Sequence, residues 1–586
     1  MGLVNITRDI ADLFEKGIAA LNARHFAAAA EVFARVLARV PAFAPGHNAL
    51  GLAFAGMGRP AEALASYESA VRADAFFAAP YINRATLLRD LGRVEEALAN
   101  LDKAIVLEPD DAAGHGNRGS LLTEMNRPAA AVASFERALA LNPAFPYAPG
   151  LRLINKAYIC DWTSIEDETA ALKARIQRGE PVSPPWPLLA LIDSPQLLRE
   201  AAEAWASARL PANPVLGPLG KYPRHERIKV GYYCADFHRH PTGHLIAGLF
   251  ERHDRAKFEI IAFSLRNVRD DDMHRRIKAC VDRFIDVRDR SERDVAALSR
   301  TLEIDIAVDL NGLITNNRAG IFGFRAAPIQ VNYLAYPSTM GAPYIDYIIA
   351  DTTVIPDPAF YTERVVYLPD CYQVNDAQRQ VSARKFTRAE LGLPETDFVF
   401  CCFNNNFKIT PRMFDIWMRI LDNVEGSILW LIEDNAAAAA NLRKEAKRRG
   451  VDPVRLVFAP RVPQEDHLAR QSAADLFLDT RPYNAHTTCS DALWVGLPLL
   501  TCPGESFASR VAASQLRTMG LAELIAPTLA DYEALAINLA KDPQRLGQIK
   551  QKLTLQRTSS PLFDLGLFTK NIERAYARMY ESGGGP

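Results

Sequence analysis

The chain is 586 residues long, more than one hydrophobic core supports, so roughly two to four domains are expected. Its 49% hydrophobic and 23% charged residues describe an ordinary soluble protein, and a net charge of −1 leaves no basic field for nucleic acid. No apolar run reaches membrane-spanning length, and Met1–Asp9 lacks a signal peptide's basic-then-apolar order. Eight scattered cysteines without a CxxC pair fit a reducing compartment, so a cytoplasmic protein with no membrane partner is expected.

A repeat comes first. Gly58-Arg59-Pro60-Ala61-Glu62-Ala63-Leu64 recurs as Gly92-Arg93-Val94-Glu95-Glu96-Ala97-Leu98 and as Asn126-Arg127-Pro128-Ala129-Ala130-Ala131-Val132, each 34 residues on, with a worn copy from Arg24. Small Gly51, Ala85 and Gly119 recur, as do bulky Phe33, Tyr67, Leu101 and Phe135. Small positions let two antiparallel helices approach while the bulky ones fill the groove between them. Pro41, Pro109 and Pro143 close their repeats. This is the tetratricopeptide pattern, about three and a half to four units over roughly residues 8–145 of an α-solenoid spanning 1–145. Such arrays hold extended protein or peptide in a concave face. Asn83 and Asn117 occupy equivalent inner-helix positions, where an amide both accepts from and donates to a peptide backbone; the preceding unit has Ala49 there. Homo-oligomerisation through the repeats is the equal alternative.

Residues 146–226 read as a helical connector broken by Pro181-Val182-Ser183-Pro184-Pro185-Trp186-Pro187 and by a Pro/Gly-rich link from Pro211 to Pro223. After Arg227 short apolar runs alternate with helical ones: Ile228–Tyr233, Phe258–Leu265, Ile304–Leu310, Ile329–Ala335 and Tyr344–Ala350. A polar patch at Asp376–Arg388 intervenes. The alternation resumes with Phe398–Phe403, Ser427–Ile432, Arg455–Phe458, Leu476–Leu478 and Leu499–Thr501. Buried strands separated by helices predict two Rossmann-like, doubly wound lobes facing a cleft, over 227–384 and 385–556, then a C-terminal helix and tail over 557–586. Ligands in such sheets sit beyond the carboxyl ends of the strands.

The polar clusters fall at those ends. His486, Thr487 and Thr488 open an apolar helical run after Leu476–Leu478, and free amides at a helix start form an anion site. Phe403-Asn404-Asn405-Asn406-Phe407-Lys408 follows the first strand of the second lobe; a Lys there neutralises a leaving phosphate, or is simply an exposed loop Lys. His467 and Arg470 share a helical face that suits a nucleobase. Asp236-Phe237-His238-Arg239-His240-Pro241-Thr242-Gly243-His244 follows the first strand, with His240 the favoured catalytic or substrate-contacting group. Asp309-Leu310-Asn311-Gly312 and Tyr336–Gly341 end two further strands as loops for a sugar or as plain turns. Asp270-Asp271-Asp272 reads as a helix cap in preference to a metal–diphosphate site, and no metal ligand set is expected.

Together these segments resemble the protein O-GlcNAc transferase/SPINDLY-like family in its bacterial type, tetratricopeptide repeats fused to a GT-B glycosyltransferase. The resemblance is densest at His240–His244, Arg325–Gln330, Phe403–Lys408, Leu478–Thr480, His486–Thr488, Pro503–Leu516 and Ser559–Phe563. It implies catalytic positions at His240, Lys408 and His486. It implies phosphate contacts from Asn405, Lys408, Thr487 and Thr488, ribose contact from Asp491, and uracil contact from His467 and Arg470. Tyr483 would border the sugar, and Asn83 and Asn117 the acceptor. The implied reaction is metal-independent, inverting transfer of N-acetylglucosamine from UDP-GlcNAc to protein Ser/Thr, with no resident cofactor. Three positions depart from the animal enzymes: Gln464 replaces a Lys, Tyr483 a Cys and Phe407 a Tyr. A bulky Tyr483 crowds an acetamido group, at about 1–3 kcal/mol where no room exists. Fucose transfer from GDP-fucose, transfer to Asn or to a glycan, and a silent repeat scaffold are the alternatives.

Overall fold

The computed structural model describes residues 8–220, 222–266, 269–315 and 317–583. Residues 1–7 of the segment read for a leader, Lys221 of the Pro/Gly-rich link and the last three residues of the tail lie outside them. Two compact units emerge, Met1–Asn155 and Lys156–Pro586.

In the first unit α1 (Arg8–Asn22), α2 (Phe26–Arg39), α3 (Ala44–Gly56), α4 (Pro60–Ala73), α5 (Ala79–Asp90), α6 (Val94–Leu107), α7 (Ala112–Glu124) and α8 (Pro128–Leu141) pair as four hairpins. The pairing explains the alternation of sizes. A Cβ on Gly17 or Gly51 would lie 2.5 Å from the ring of Phe33 or Tyr67, and one on Gly119 2.9 Å from Phe135. Where the small residue is Ala85, the residue that packs in its cluster is the smaller Leu101. Arg24, Gly58, Gly92 and Asn126 all have positive φ, at 58°, 70°, 76° and 54°. Each ends the first helix of a repeat, and the next N–H reaches back five residues: His25 to Ala20, Arg59 to Phe54, Arg93 to Leu88, Arg127 to Leu122. This left-handed cap suits Gly and Asn and strains Arg24. Arg24→Gly is therefore expected to stabilise the first repeat by about 1 kcal/mol, read as a higher thermal midpoint of residues 1–155.

The inner-helix amides differ from their expected register. Asn83 Nδ2 donates to Asn48 Oδ1 at 2.9 Å, so the third-helix amide comes from the residue beside Ala49. Asn117 lies partly buried on α7.

The second unit holds two parallel sheets. In the first, β1 (Ile228–Cys234), β2 (Phe258–Ser264), β3 (Arg283–Asp286), β4 (Ile306–Asp309), β5 (Ile329–Asn332), β6 (Tyr347–Ala350) and β7 (Arg364–Tyr367) lie in the order β3-β2-β1-β4-β5-β6-β7. In the second, β8 (Val399–Cys402), β9 (Ile428–Ile432), β10 (Leu456–Ala459), β11 (Leu476–Leu478) and β12 (Leu499–Leu500) lie in the order β10-β9-β8-β11-β12. Among the described residues, neighbouring strands pair in parallel throughout, from β1 on β2 (Ile228 opposite Phe258) to β11 on β12 (Phe477 opposite Leu499). Strand order therefore reverses between β1 and β4 and between β8 and β11. These switch points are where open α/β sheets leave a crevice. The interior strands are mostly apolar and largely buried, with buried polar residues such as Asp309, Gln330 and Asn332 among them. The C-terminal helix, Leu565–Glu581, returns to the first lobe: Tyr576 Oη accepts from Tyr232 Oη at 3.1 Å, and Glu573 accepts from the Asp254 N–H at 2.7 Å.

Candidate active site between the two lobes

A cavity of about 370 Å³ is lined by His240, Pro241, Thr242, Gln373, Asn404, Asn405, Lys408, Tyr483, His486, Thr487 and Thr488, among others. A second, of about 400 Å³, is lined by His240, His244, Phe403, Arg461, Gln464, His467, Arg470, Thr487, Thr488 and Asp491. Both include His240, Phe403, Arg461 and the two threonines, so they form one cleft. The candidate residues of both lobes thus meet at the two switch points.

The loop after β8 and the loop after β11 are tied together by one buried acid. Asp479 accepts from the N–H groups of Thr480 and Ala485, each at 2.7 Å, from Asn404 Nδ2 at 3.1 Å and from Thr501 Oγ1 at 2.7 Å. Asn404 passes the order on, accepting from Thr488 Oγ1 at 2.5 Å. Thr487 then opens the helix Thr487–Trp494, whose first N–H groups carry the positive end of the dipole.

Lys408 donates to the Asn484 carbonyl at 2.8 Å and sits 4.0 Å over the Tyr483 ring. Burial lowers its pKa to about 8, with the Asp479 carboxylate opposing; burial likewise raises Asp479 to about 6. A buried ammonium at the edge of this cleft favours a negatively charged ligand. Asn405 Oδ1 is buried without a hydrogen-bond partner among the described residues, leaving an acceptor for a ligand donor or an amide free to turn.

His486 donates from Nε2 to the Ala508 carbonyl at 3.1 Å. Burial and then the Lys408 charge push its pKa well down, so the ring is neutral with Nδ1 as acceptor. Its ring centroid lies 4.9 Å from that of Tyr483. Tyr483 also contacts Phe407, whose ring packs on Tyr158 and Trp186 of the connector. The three departures from the animal pattern therefore divide: Tyr483 and Phe407 belong to one aromatic wall, and Gln464 lines the second cavity.

His240 caps the helix Pro241–Arg252, its Nδ1 accepting from the Thr242 N–H at 3.3 Å. Burial lowers its pKa, with Asp236, 3.9 Å away, opposing. A neutral ring that accepts at Nδ1 carries its hydrogen on Nε2. In this resting state Nε2 is a donor, and taking up a hydroxyl proton requires a change of tautomer or of the cap.

His467 and Arg470 meet each other. Arg470 is 2% exposed; its Nε and Nη2 approach His467 Nδ1 at 3.1 and 2.8 Å, and its Nη1 donates to the Pro460 carbonyl at 2.7 Å. Burial, then the Arg470 charge, takes His467 down to about 3. Arg470 thus fixes a neutral His467 with an Nε2–H donor. Arg470→Met is expected to weaken nucleotide binding about tenfold, the worth of one good contact, measured by calorimetry with UDP. Asp491 is also engaged, accepting from Arg379 Nη1 at 2.6 Å.

Family models match at this point. The model for glycosyl transferase family 41 covers residues 218–385 and 380–572, and a tetratricopeptide repeat model covers 14–76 and 82–149. The chain belongs to glycosyl transferase family 41. It is 33% identical over 445 residues to the Arabidopsis thaliana protein named probable UDP-N-acetylglucosamine–peptide N-acetylglucosaminyltransferase SEC, across 72% of this chain and 46% of that one. It is 29% identical over 475 residues to the Caenorhabditis elegans UDP-N-acetylglucosamine–peptide N-acetylglucosaminyltransferase, across 61% and 41%. A solved structure of a Thermobaculum terrenum O-GlcNAc transferase mutant superposes with a TM-score of 0.68 at 26% identity, over 92% of this chain and 98% of that one. The chain spans less than half the length of the curated relatives it matches.

For this family 41 chain, the remaining sequence candidates resolve into supporting roles. Asp271 caps Asp272–Ala279, and Asp272 pairs with Arg239 at 2.5 Å, which lowers it to about 2. Asp309 accepts from the N–H groups of Asn311 and Gly312, and Asn311 holds Ala235 and Asp236 beside His240. Among the described residues no group of three or more His, Cys, Asp or Glu stands ready to hold a metal ion. Sequence reasoning passed over Asp479 as the hub, Arg379 and Arg461. The available signal for Asp479 was an acid ending a fully apolar strand.

Proposed function

We propose that this chain is an inverting glycosyltransferase that moves N-acetylglucosamine from UDP-GlcNAc to Ser/Thr hydroxyls of proteins. One observation carries this: a buried Lys408 and the Thr487 helix start line the same cleft as His240 and His486. Lys408, Thr487, Thr488 and Asn405 take the diphosphate, and the Lys408 ammonium with the N–H groups of the helix start supplies the positive charge in place of a metal ion. His467, set by Arg470, faces the uracil, and Asp491 takes the ribose. His486 and Tyr483 border the sugar. The relatives from Arabidopsis thaliana and Caenorhabditis elegans, named for transfer from UDP-N-acetylglucosamine to peptide, support this donor.

In this reading the acceptor hydroxyl attacks the anomeric carbon as UDP departs. Lys408 and the helix start stabilise the charge that grows on the leaving phosphate. His240 contacts the acceptor, first as Nε2–H donor and, after a tautomer change, as base. The repeats, through Asn48, Asn83 and Asn117, hold the acceptor's backbone, and the lobes divide near 227–384 and 385–556. No helix among the described residues is long and apolar enough to cross a membrane; a cytoplasmic site of action is part of the proposal.

His240→Ala is expected to slow transfer about 10²–10⁴-fold while UDP binding changes less than twofold; turnover at the wild-type rate removes the role. Mass spectrometry of acceptor proteins incubated with UDP-GlcNAc tests the reaction itself. Addition of one N-acetylhexosamine to Ser or Thr supports it. A second donor, GDP-fucose, is favoured by the aromatic wall at Tyr483, and a deoxyhexose product would establish it instead.

A further inference from the structure

The connector between the repeats and the lobes contributes one carboxylate to the second lobe. Asp193 lies in the turn between the helices Pro185–Leu191 and Pro195–Arg209. Its Oδ1 accepts from the N–H groups of Glu505 and Ser506 at 3.0 and 2.9 Å. Its Oδ2 accepts from Arg481 Nε at 3.1 Å and pairs with Arg481 Nη2 at 3.1 Å. The approach is so close that a Cβ on Gly504 would lie 2.0 Å from Oδ2. Gly504 is thus what lets the carboxylate nest on the backbone.

Arg481 belongs to the loop after β11, and Glu505 and Ser506 to the loop after β12. The two loops meet at the Ala508 carbonyl, which accepts from the Asn484 N–H at 2.9 Å and from His486 Nε2 at 3.1 Å. Asn484 in turn seats Lys408 through its carbonyl at 2.8 Å. We infer that Asp193 is a positioning residue: by clamping both loops it holds Ala508 where it fixes the His486 tautomer. His467 and its support Arg470, at the other end of the cleft, are held through the Pro460 carbonyl and share none of these contacts. Asp193 therefore governs the sugar end of the cleft and leaves the base end alone. Its rate consequences rest on the transferase reading above; its effect on His486 does not.

The test uses the full chain and the variants Asp193→Asn, Gly504→Ala and the double. An amide at 193 keeps one acceptor oxygen but turns its NH2 on either the Arg481 guanidinium or the Glu505 and Ser506 N–H groups, breaking one arm of the clamp, and a methyl at 504 pushes the carboxylate off. Each single variant is expected to lose at least tenfold in kcat with UDP-GlcNAc while UDP Kd stays within twofold. The double is expected to be no worse than the poorer single, because both break one contact. Selective ¹⁵N-histidine NMR reads the tautomer directly: His486 is Nε2–H in the wild type and mixed in both variants. An unchanged His486 signal with unchanged kcat overturns the proposal, as does parallel loss of UDP binding, kcat and thermal midpoint. If the wild type transfers no sugar, the functional reading fails alone, and the NMR arm decides the role of Asp193.

Discussion

Lys408→Met is expected to lower kcat by about 10²–10³-fold, the effect of removing one pre-set charge from a leaving group. Met keeps most of the stem, so the aromatic wall and the Asn484 loop stay filled. The thermal midpoint is expected to hold or rise, since burial disfavours the ammonium in the empty cleft. The same burial makes the effect depend on pH. The folded-state pKa lies near 8, below the ordinary lysine value, with burial the main cause and Asp479 opposing. Above pH 8 the free cleft holds a neutral amine, whereas a bound diphosphate favours the ammonium. Donor binding at pH 8–9 is therefore expected to take up a proton, and UDP affinity to fall as pH rises through this range. Calorimetry in buffers of different ionisation enthalpy measures the uptake. The Met variant is expected to show none.

Asp479→Ala is expected to be the most damaging single change to the second lobe. It strands two backbone N–H groups, the Asn404 amide and the Thr501 hydroxyl in a site where Asp479 itself is 1% exposed. Loss of such a hub costs about 3–5 kcal/mol, read as a lower urea midpoint. Because Asn404 also holds Thr488, the helix start loses its setting, and UDP binding is expected to fall with stability. Asp479→Asn, which keeps the shape and one acceptor oxygen, is expected to lose less of both.

Much of the architecture is legible in the chain because its causes are local. The repeats announce themselves through Gly58, Gly92 and Asn126, each a left-handed cap, and through the glycines facing Tyr67 and Phe135. All five strands of the second lobe read as short apolar runs; four are fully buried, and the edge strand β10 is apolar though half-buried at Val457 and Phe458. The edge strands β3 and β7 escape because their outer residues are polar or exposed: Arg283 and Asp286 bracket one, Arg364 and Tyr367 the other.

The site divides the same way. His240, Lys408, His486, Thr487 and Thr488 are legible because strand ends of doubly wound sheets converge on the cleft. What remained hidden are partners remote in sequence. Nothing near Asp491 points to Arg379, and nothing near His486 points to Asp193 through Ala508. Arg470 looks like a ligand contact by helical spacing, yet its burial makes it the support for His467. Asn48 is hidden by a one-residue offset from the 34-residue repeat.

The most direct test of the transferase reading is a calorimetric titration of UDP-GlcNAc, UDP-glucose and GDP-fucose into the wild type and Lys408→Met. The expected result is preferred binding of UDP-GlcNAc to the wild type and its loss in the variant. Preference for GDP-fucose, or equal binding to the variant, would contradict the donor and the site assigned to it.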